Sequence, residues 1–110
     1  LDQKKFGEAE SVFRETVSER EKLRSDDWMV FYLRSLLGAT LLGQNKFADA
    51  EPLLLTGYEG LRAREAGLPS NHASRPREAL ERVVQLYSAW DQTAKAAEWQ
   101  RKLEAAKKAR

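Results

Sequence analysis

One short segment that occurs twice constrains the fold of this chain more than any other feature. Lys4–Glu10 reads KKFGEAE, and Asn45–Glu51 reads NKFADAE, 41 positions later. Recurrence at a fixed period of about 20–50 residues is typical of stacked helical units, none of which can bury its apolar face alone. We therefore predict an all-α chain of helix hairpins that pack on one another, with a function in holding a partner.

Composition allows one ordered domain and limits its chemistry. The 110 residues are 42% hydrophobic and include three Trp, which is enough apolar material for a core. The chain has no Cys, so disulfides and thiolate–metal sites cannot form. Its longest apolar run, Trp28–Leu33, is far shorter than the roughly 20 residues of a membrane span. We expect a cytoplasmic domain without a cofactor or a membrane partner. Because Leu1 is not a start methionine, we also expect a piece of a longer protein.

Charge is unevenly distributed along the chain. Residues 1–55 carry eight Lys or Arg and ten Asp or Glu, whereas residues 56–110 carry eleven and seven. Basic residues near the end of the chain suit a solvated helix C-terminus. A nucleic-acid interface is an alternative, and its candidate cations are Arg62, Arg64, Arg75, Arg77 and the basic residues of the C-terminal tail. The net charge of only +2 and the lack of an aromatic stacking platform disfavour it, so we predict no nucleic-acid partner.

Apolar residues at helical spacing predict five helices. Their expected ranges are about 4–23, 28–42, 47–66, 75–90 and 93–107. Ser25–Asp27 can cap the second helix, and Gly43 suits a left-handed position after it. Gly67–Ser74 is the one long loop. The second helix is apolar nearly all round, so it requires neighbours on several sides. We divide the single domain into a half repeat (1–24) and two repeats (26–66 and 75–108).

Small and aromatic residues recur where the two helices of a hairpin would touch. Leu37 and Gly38 lie in the second predicted helix, and Phe47 and Ala50 open the third. This arrangement resembles the tetratricopeptide repeat, a pair of antiparallel helices in which a leucine–glycine pair and an aromatic–alanine pair hold these places. Small side chains at Gly38 and Ala50 would let two helix backbones approach closely.

The third predicted repeat follows the same pattern with departures. Val84, Ala94 and Ala97 hold equivalent places, but Gln85 replaces the glycine. The tryptophan that the tetratricopeptide pattern has near the start of the first helix is Arg34 in one repeat and Glu81 in the next.

Spacing between the repeats narrows the resemblance. Ala9, Ala50 and Ala97 are 41 and 47 residues apart, longer than the tetratricopeptide period of about 34. Such long units resemble the kinesin-light-chain variety. Asp26–Glu65 is similar to the C-terminal repeat regions of bacterial serine/threonine protein kinases, notably those of planctomycetes. The resemblance implies a regulatory or docking appendage of a kinase, although the chain has no glycine-rich loop and no HRD or DFG triplet.

Few residues are candidates for catalysis or metal binding. His72 is the only histidine, and it has no Cys or second His to share a metal with. Asp26 and Asp27 could be an acid–base pair, but their place before a helix favours a capping role. Ser35, Ser74 and Ser88 lack a recruitable base. We predict a non-catalytic chain with no metal site.

Binding is expected in the groove that the first helices of successive repeats line in the tetratricopeptide family. The resemblance transfers the groove positions to Tyr32, Ser35, Ala39, Leu42, Ala79, Arg82, Leu86 and Ala89. Arg82 stands among small and apolar neighbours and could bind a peptide carboxylate or phosphate, or it could be a solvated surface arginine. We predict an interaction module for an extended or helical peptide. The alternative is a structural spacer or self-association module without a peptide ligand.

The first helix offers a second candidate surface. It lacks its own hairpin partner in this chain, so we expect a partly uncovered strip at Phe6, Phe13 and Val17. Upstream sequence, a rearrangement of the helices or a second copy of the chain could cover this strip, and a second copy would form a homodimer.

Overall fold

The chain is all-α, as predicted. The computed structural model describes residues 3–24 and 27–108, and in these ranges every regular element is a helix. The five α-helices are α1 (Gln3–Arg24), α2 (Trp28–Gly43), α3 (Phe47–Ala63), α4 (Arg75–Ala89) and α5 (Thr93–Lys108). The predicted third helix is too long, because its last residues form a 3₁₀ turn at Glu65–Gly67. A second 3₁₀ turn, Ser70–His72, lies in the loop before α4.

Capping by Asp27 starts α2. Its carboxylate accepts a hydrogen bond from the Met29 backbone N–H at 3.2 Å, which satisfies one of the donors left free at a helix N-terminus. The same carboxylate lies 3.3 Å from Arg20 of α1. The predicted capping role is therefore confirmed for Asp27, and Ser25 and Asp26 lie outside the described residues.

Left-handed residues end α2 and α4, but neither is a glycine. Asn45 has φ 62° and Asp91 has φ 56°. The left-handed position predicted for Gly43 is wrong, because Gly43 is the last residue of α2 and has no positive φ. Its small size matters instead. The Phe6 ring lies so close that a Cβ at this position would collide with it.

Matching turn hydrogen bonds fix how the two hairpins correspond. The Lys46 N–H donates to the Leu41 carbonyl, and the Gln92 N–H donates to the Tyr87 carbonyl, each at 2.9 Å. Both bonds belong to the helix-ending motif with a left-handed C′ residue. They relate the hairpins by an offset of 46 residues.

This offset corrects the predicted partner of Ala50. The Ala50 and Ala96 N–H groups each donate to the carbonyl four residues earlier, at 2.9 and 2.8 Å. Ala96 packs against the core, whereas Ala97 is exposed. Ala96 is therefore the counterpart of Ala50, and the predicted correspondence with Ala97 is wrong by one residue.

Helix α2 has neighbours on several sides, as its apolar surface predicted. It contacts α1, α3 and α4, while α3 also contacts α4, and α4 contacts α5. The largest side chains that these contacts bury completely are Val30, Leu41, Leu54, Leu61, Leu80, Val83 and Leu86. One continuous core therefore extends from α2 to α5.

Close approach of α2 and α3 depends on small residues. A Cβ added to Gly38 would lie 2.7 Å from Leu54, and one added to Gly57 would lie 2.9 Å from the Phe31 carbonyl oxygen. Ala50 is fully buried in the same contact. The predicted spacing role of Gly38 and Ala50 is confirmed. Gly57 has the same role on α3, although only its backbone neighbours in the folded chain reveal it.

The two copies of the recurring segment occupy similar surroundings. Phe6 packs against Gly43 at the C-terminal end of α2, and Phe47 stacks on Trp90 after α4, with ring centroids 5.8 Å apart. Each phenylalanine thus contacts the end of the first helix in the hairpin that follows it.

Glutamates four residues after these phenylalanines also correspond. Glu10 accepts a hydrogen bond from Gln44 at 2.9 Å, and Glu51 accepts one from the Tyr87 hydroxyl at 2.8 Å. Each carboxylate therefore joins its helix to the following hairpin.

Candidate partner-binding surface

Arg82 lies at the contact between α2 and α4. Its Nη1 donates to the Ser35 Oγ at 3.1 Å, and Ser35 is 0% exposed. The Ser35 side chain is buried because Gly57 admits the α2 backbone so closely that an added Cβ would lie 3.0 Å from the Ser35 nitrogen. No carboxylate within residues 3–24 and 27–108 lies within 4.0 Å of the half-buried Arg82 guanidinium. The protein therefore orients this cation by a hydrogen bond and not by a salt bridge within residues 3–24 and 27–108.

An aromatic cluster lies at the same contact between α2 and α4, with Tyr32 about one helical turn before Ser35. It consists of Trp28, Tyr32, His72 and Arg75. The His72 ring lies 4.7 Å from that of Trp28 and 6.2 Å from that of Tyr32. The Arg75 guanidinium stacks over Tyr32 at 4.8 Å, and its Nε donates to the His72 Nδ1 at 3.2 Å. His72, which lies in the segment predicted as the one long loop, packs here against α2 and the start of α4.

Glu78 distinguishes the two arginines electrostatically. Its carboxylate accepts hydrogen bonds from Arg75 at 2.8 Å and from the Ser74 hydroxyl at 3.0 Å. Burial acts to raise the Glu78 pKa, but these bonds and the charges of Arg75 and Arg82 outweigh burial, so the pKa lies below its ordinary value. Glu78 is thus ionised at neutral pH and pairs with Arg75. Arg82 acts on Glu78 only through its charge and forms no salt bridge with a carboxylate of the described residues.

The eight predicted groove residues differ in exposure. Ser35, Ala79 and Leu86 are fully buried, so their side chains contact only the protein itself. Ala79 and Leu86 belong to the core. They were predicted for the groove because the positions on α2 were transferred to α4 with an offset of 47 rather than 46. With the corrected offset the counterparts on α4 are Glu78, Glu81, Gln85 and Ser88, all at least partly exposed. The predicted groove residues that remain accessible are Tyr32, Ala39, Leu42, Arg82 and Ala89.

The partly uncovered strip predicted on α1 includes Phe6 and Phe13 but not Val17. Val17 is only 6% exposed, and Phe6 and Phe13 are half-buried, so the predicted exposure of Val17 is wrong. Val17 packs inward because it corresponds to the buried Tyr58 of α3 at the offset of 41. The large exposed apolar residues are instead Val12 (61%) and Leu23 (81%), three helical turns apart on one face.

Two of the four arginines considered as nucleic-acid contacts interact with other groups of the protein. The Arg64 guanidinium lies 4.5 Å from the centre of the Phe31 ring and donates to the Gly60 carbonyl at 3.2 Å. Arg75 belongs to the aromatic cluster. Arg62 and Arg77 have no carboxylate of the described residues within 4.0 Å.

Neither a bilayer-spanning helix nor a metal-binding group is found in the described part of the chain. No helix there has the length and apolar character needed to cross a membrane. No three His, Asp or Glu side chains there converge as metal ligands.

Comparison with known proteins returns no relative of this chain. No protein-family model, curated protein or solved structure matches it. The resemblance to tetratricopeptide repeats and to kinase appendages therefore rests on the sequence pattern.

Proposed function

We propose that this chain is a non-catalytic protein-interaction module that binds an acidic or phosphorylated peptide across α2 and α4. The observation that carries the proposal is Arg82, which is oriented by the buried Ser35 and has no carboxylate partner among the described residues. Hydrogen bonds between a guanidinium and an oxyanion are about twice as strong as neutral ones. Because Ser35 already holds the side chain, binding would cost little additional side-chain entropy.

The aromatic cluster supports the proposal by providing apolar contact area beside the cation. Trp28 and Tyr32 are half-buried, and Arg75 in the same cluster is paired with Glu78. A peptide would place one acidic side chain on Arg82 and apolar side chains against the rings, since rigid aromatic surfaces gain contact area at low entropic cost. In line with the sequence resemblance, we propose a cytoplasmic bacterial signalling protein, such as a kinase, as its parent.

Binding to a peptide array tests the proposal. The array carries peptides with one glutamate, one phosphoserine or one glutamine at the central position, and fluorescence anisotropy measures the affinity of those retained. Arg82→Glu should weaken binding of acidic peptides by at least roughly tenfold, because it replaces a charge-assisted bond with repulsion. Arg101→Glu is the matched control, since Arg101 is an exposed arginine on α5.

The comparison of affinities is valid only if both variants fold like the wild type. Circular dichroism should show the same helicity for both variants and the wild type. Equal affinity of the wild type and Arg82→Glu, or preference for the glutamine peptide, would contradict the proposal.

A self-association module is the second candidate, favoured by the exposed Val12 and Leu23 on α1. It predicts a concentration-dependent dimer in light scattering that Val12→Glu converts to a monomer. It also predicts no saturable peptide binding by the wild-type chain. A wild-type monomer at all concentrations excludes this function.

A further inference from the structure

A cleft of about 550 Å³ lies between the C-terminal parts of α3 and α5, away from Arg82. We call it the α3–α5 cleft. Tyr58 and Arg62 line it from α3, and Lys102, Ala105 and Ala106 line it from α5. A smaller hollow of about 90 Å³ shares Tyr58, Arg62 and Ala106 and extends to Arg77 at the start of α4. Sites for small organic ligands have volumes of roughly 300–1,000 Å³, so the cleft is within their size range.

Cations of the cleft are only partly paired with carboxylates. Arg62 and Arg77 have no carboxylate of residues 3–24 and 27–108 within 4.0 Å, and Lys102 has only Glu98, at 3.8 Å. Glu59 and Glu65 also line the cleft. With Arg77 of the adjoining hollow and the Glu98 that pairs with Lys102 included, three cations face three carboxylates. Anion binding would therefore depend on directed hydrogen bonds from Arg62 and Arg77 rather than on net charge, which favours a single anionic group over a polyanion.

Tyr58 provides an independent sign of a ligand. The residue is only 9% exposed, and its ring meets Trp99 edge-on at 5.8 Å. Its hydroxyl has no hydrogen-bond partner among the described residues. Since no side-chain polar atom of those residues is both fully buried and unpaired, the hydroxyl oxygen is accessible to solvent. The hydroxyl is therefore the part of Tyr58 that reaches the cleft. Burial raises the pKa of Tyr58 further above its ordinary value, and the hydroxyl is a hydrogen-bond donor at neutral pH in either case.

We propose that the α3–α5 cleft binds the oxyanion group, phosphate or carboxylate, of a small organic ligand. Arg62, Arg77 and the Tyr58 hydroxyl supply hydrogen-bond donors to the oxyanion, and Lys102 adds positive charge. The apolar part of the ligand lies against Ala105 and Ala106. Glu59 and Glu65 repel additional negative charges, which disfavours nucleic acid as the occupant.

Titration with two probes tests the proposal. Phenyl phosphate and benzoate are added to ¹⁵N-labelled protein, and amide chemical shifts are followed by NMR. We expect saturable shifts at residues 58–65 and 102–106 for at least one probe, and the tighter probe identifies the oxyanion. Phenethylamine, a cation of similar size, should not saturate these shifts. No saturation by either anion at millimolar concentration, or equal saturation by phenethylamine, overturns the proposal.

Variants separate the cleft from the Arg82 surface. Arg62→Gln or Arg77→Gln should weaken binding roughly tenfold, and Tyr58→Phe about fivefold, through loss of a hydrogen bond to the ligand. Arg101→Gln and Arg82→Glu should leave binding unchanged, so failure here is distinguishable from failure of the peptide proposal. If Arg101→Gln weakens binding as much as Arg62→Gln, the effect is general charge and the proposed site is refuted. Thermal unfolding of each variant verifies its fold, and loss of binding in a Tyr58→Phe protein that melts like the wild type supports the site.

Discussion

Gly57 offers a sharp test of how closely α2 and α3 approach. In Gly57→Ala the new Cβ would lie 2.9 Å from the Phe31 carbonyl oxygen, 3.0 Å from the Ser35 nitrogen and 3.1 Å from the Ser35 Cβ. Two of these three neighbours are backbone atoms, which cannot rotate away as the end of a side chain can. The helices must therefore separate to admit the methyl group.

The magnitude follows from two opposing effects. Overpacking typically costs about 1–3 kcal/mol, and the rigid backbone neighbours favour the upper part of this range. Replacing glycine by alanine within a helix returns about 1 kcal/mol. We therefore expect the free energy of unfolding to fall by about 1–2 kcal/mol, which lowers Tm by roughly 4–8 °C for a chain of this size.

Gly7→Ala is the matched control for this measurement. Gly7 lies within α1, and a Cβ at this position would have nothing within 4 Å. The same substitution should therefore raise the free energy of unfolding, by up to about 1 kcal/mol. Urea unfolding followed by circular dichroism measures both variants. If Gly57→Ala stabilises the protein as Gly7→Ala does, the close approach of α2 and α3 is wrong.

Three further predictions concern single contacts, each measured by chemical or thermal unfolding. Hydrogen bonds from Gln44 and then Arg14 lower the pKa of Glu10 from 4.5 to about 2. The contribution of Glu10 to the free energy of unfolding is therefore complete above pH 4.5 and is lost as the pH falls towards 2. Glu10→Gln should remove this part of the dependence of stability on pH, and an unchanged dependence contradicts the prediction. Tyr87→Phe should lower the free energy of unfolding by about 1–2 kcal/mol, because the buried hydroxyl bonds to Glu51 at 2.8 Å; a neutral result refutes that role. Asp91→Gly should stabilise by about 0.5–1 kcal/mol, since Asp91 has φ 56°, whereas destabilisation would show that its side chain matters more than its backbone.

Local features of the structure are the ones that the sequence predicts most closely. Apolar spacing predicts all five helices within a few residues, and the carboxylate of Asp27 marks the start of α2. These features depend on residues one to four positions apart, which the chain itself specifies. Gly38 and Ala50 were also identifiable, because small residues at helical spacing indicate close helix packing.

Exposure and register were harder to predict. An offset of 47 residues between the repeats assigns Ala79 and Leu86 to the groove, whereas both side chains lie in the core of the folded chain, where the offset is 46. On α1, Val12 and Val17 are equally apolar, but only Val17 faces the rest of the protein. A one-residue change rotates a helix position by about 100°, so an error that hardly alters the pattern places a side chain on another face.

Short-range periodicity specifies the helices of this chain, and the repeated segment specifies that the surroundings of Phe6 recur at Phe47. Which side chains meet across helices is specified by the packing of the folded chain. It anchored Arg82 on Ser35, 47 positions away, and brought Tyr58 and Arg62 of α3 beside Lys102 of α5. Such neighbours result from the packing of complete helices, whose positions depend on every contact in the core rather than on local sequence.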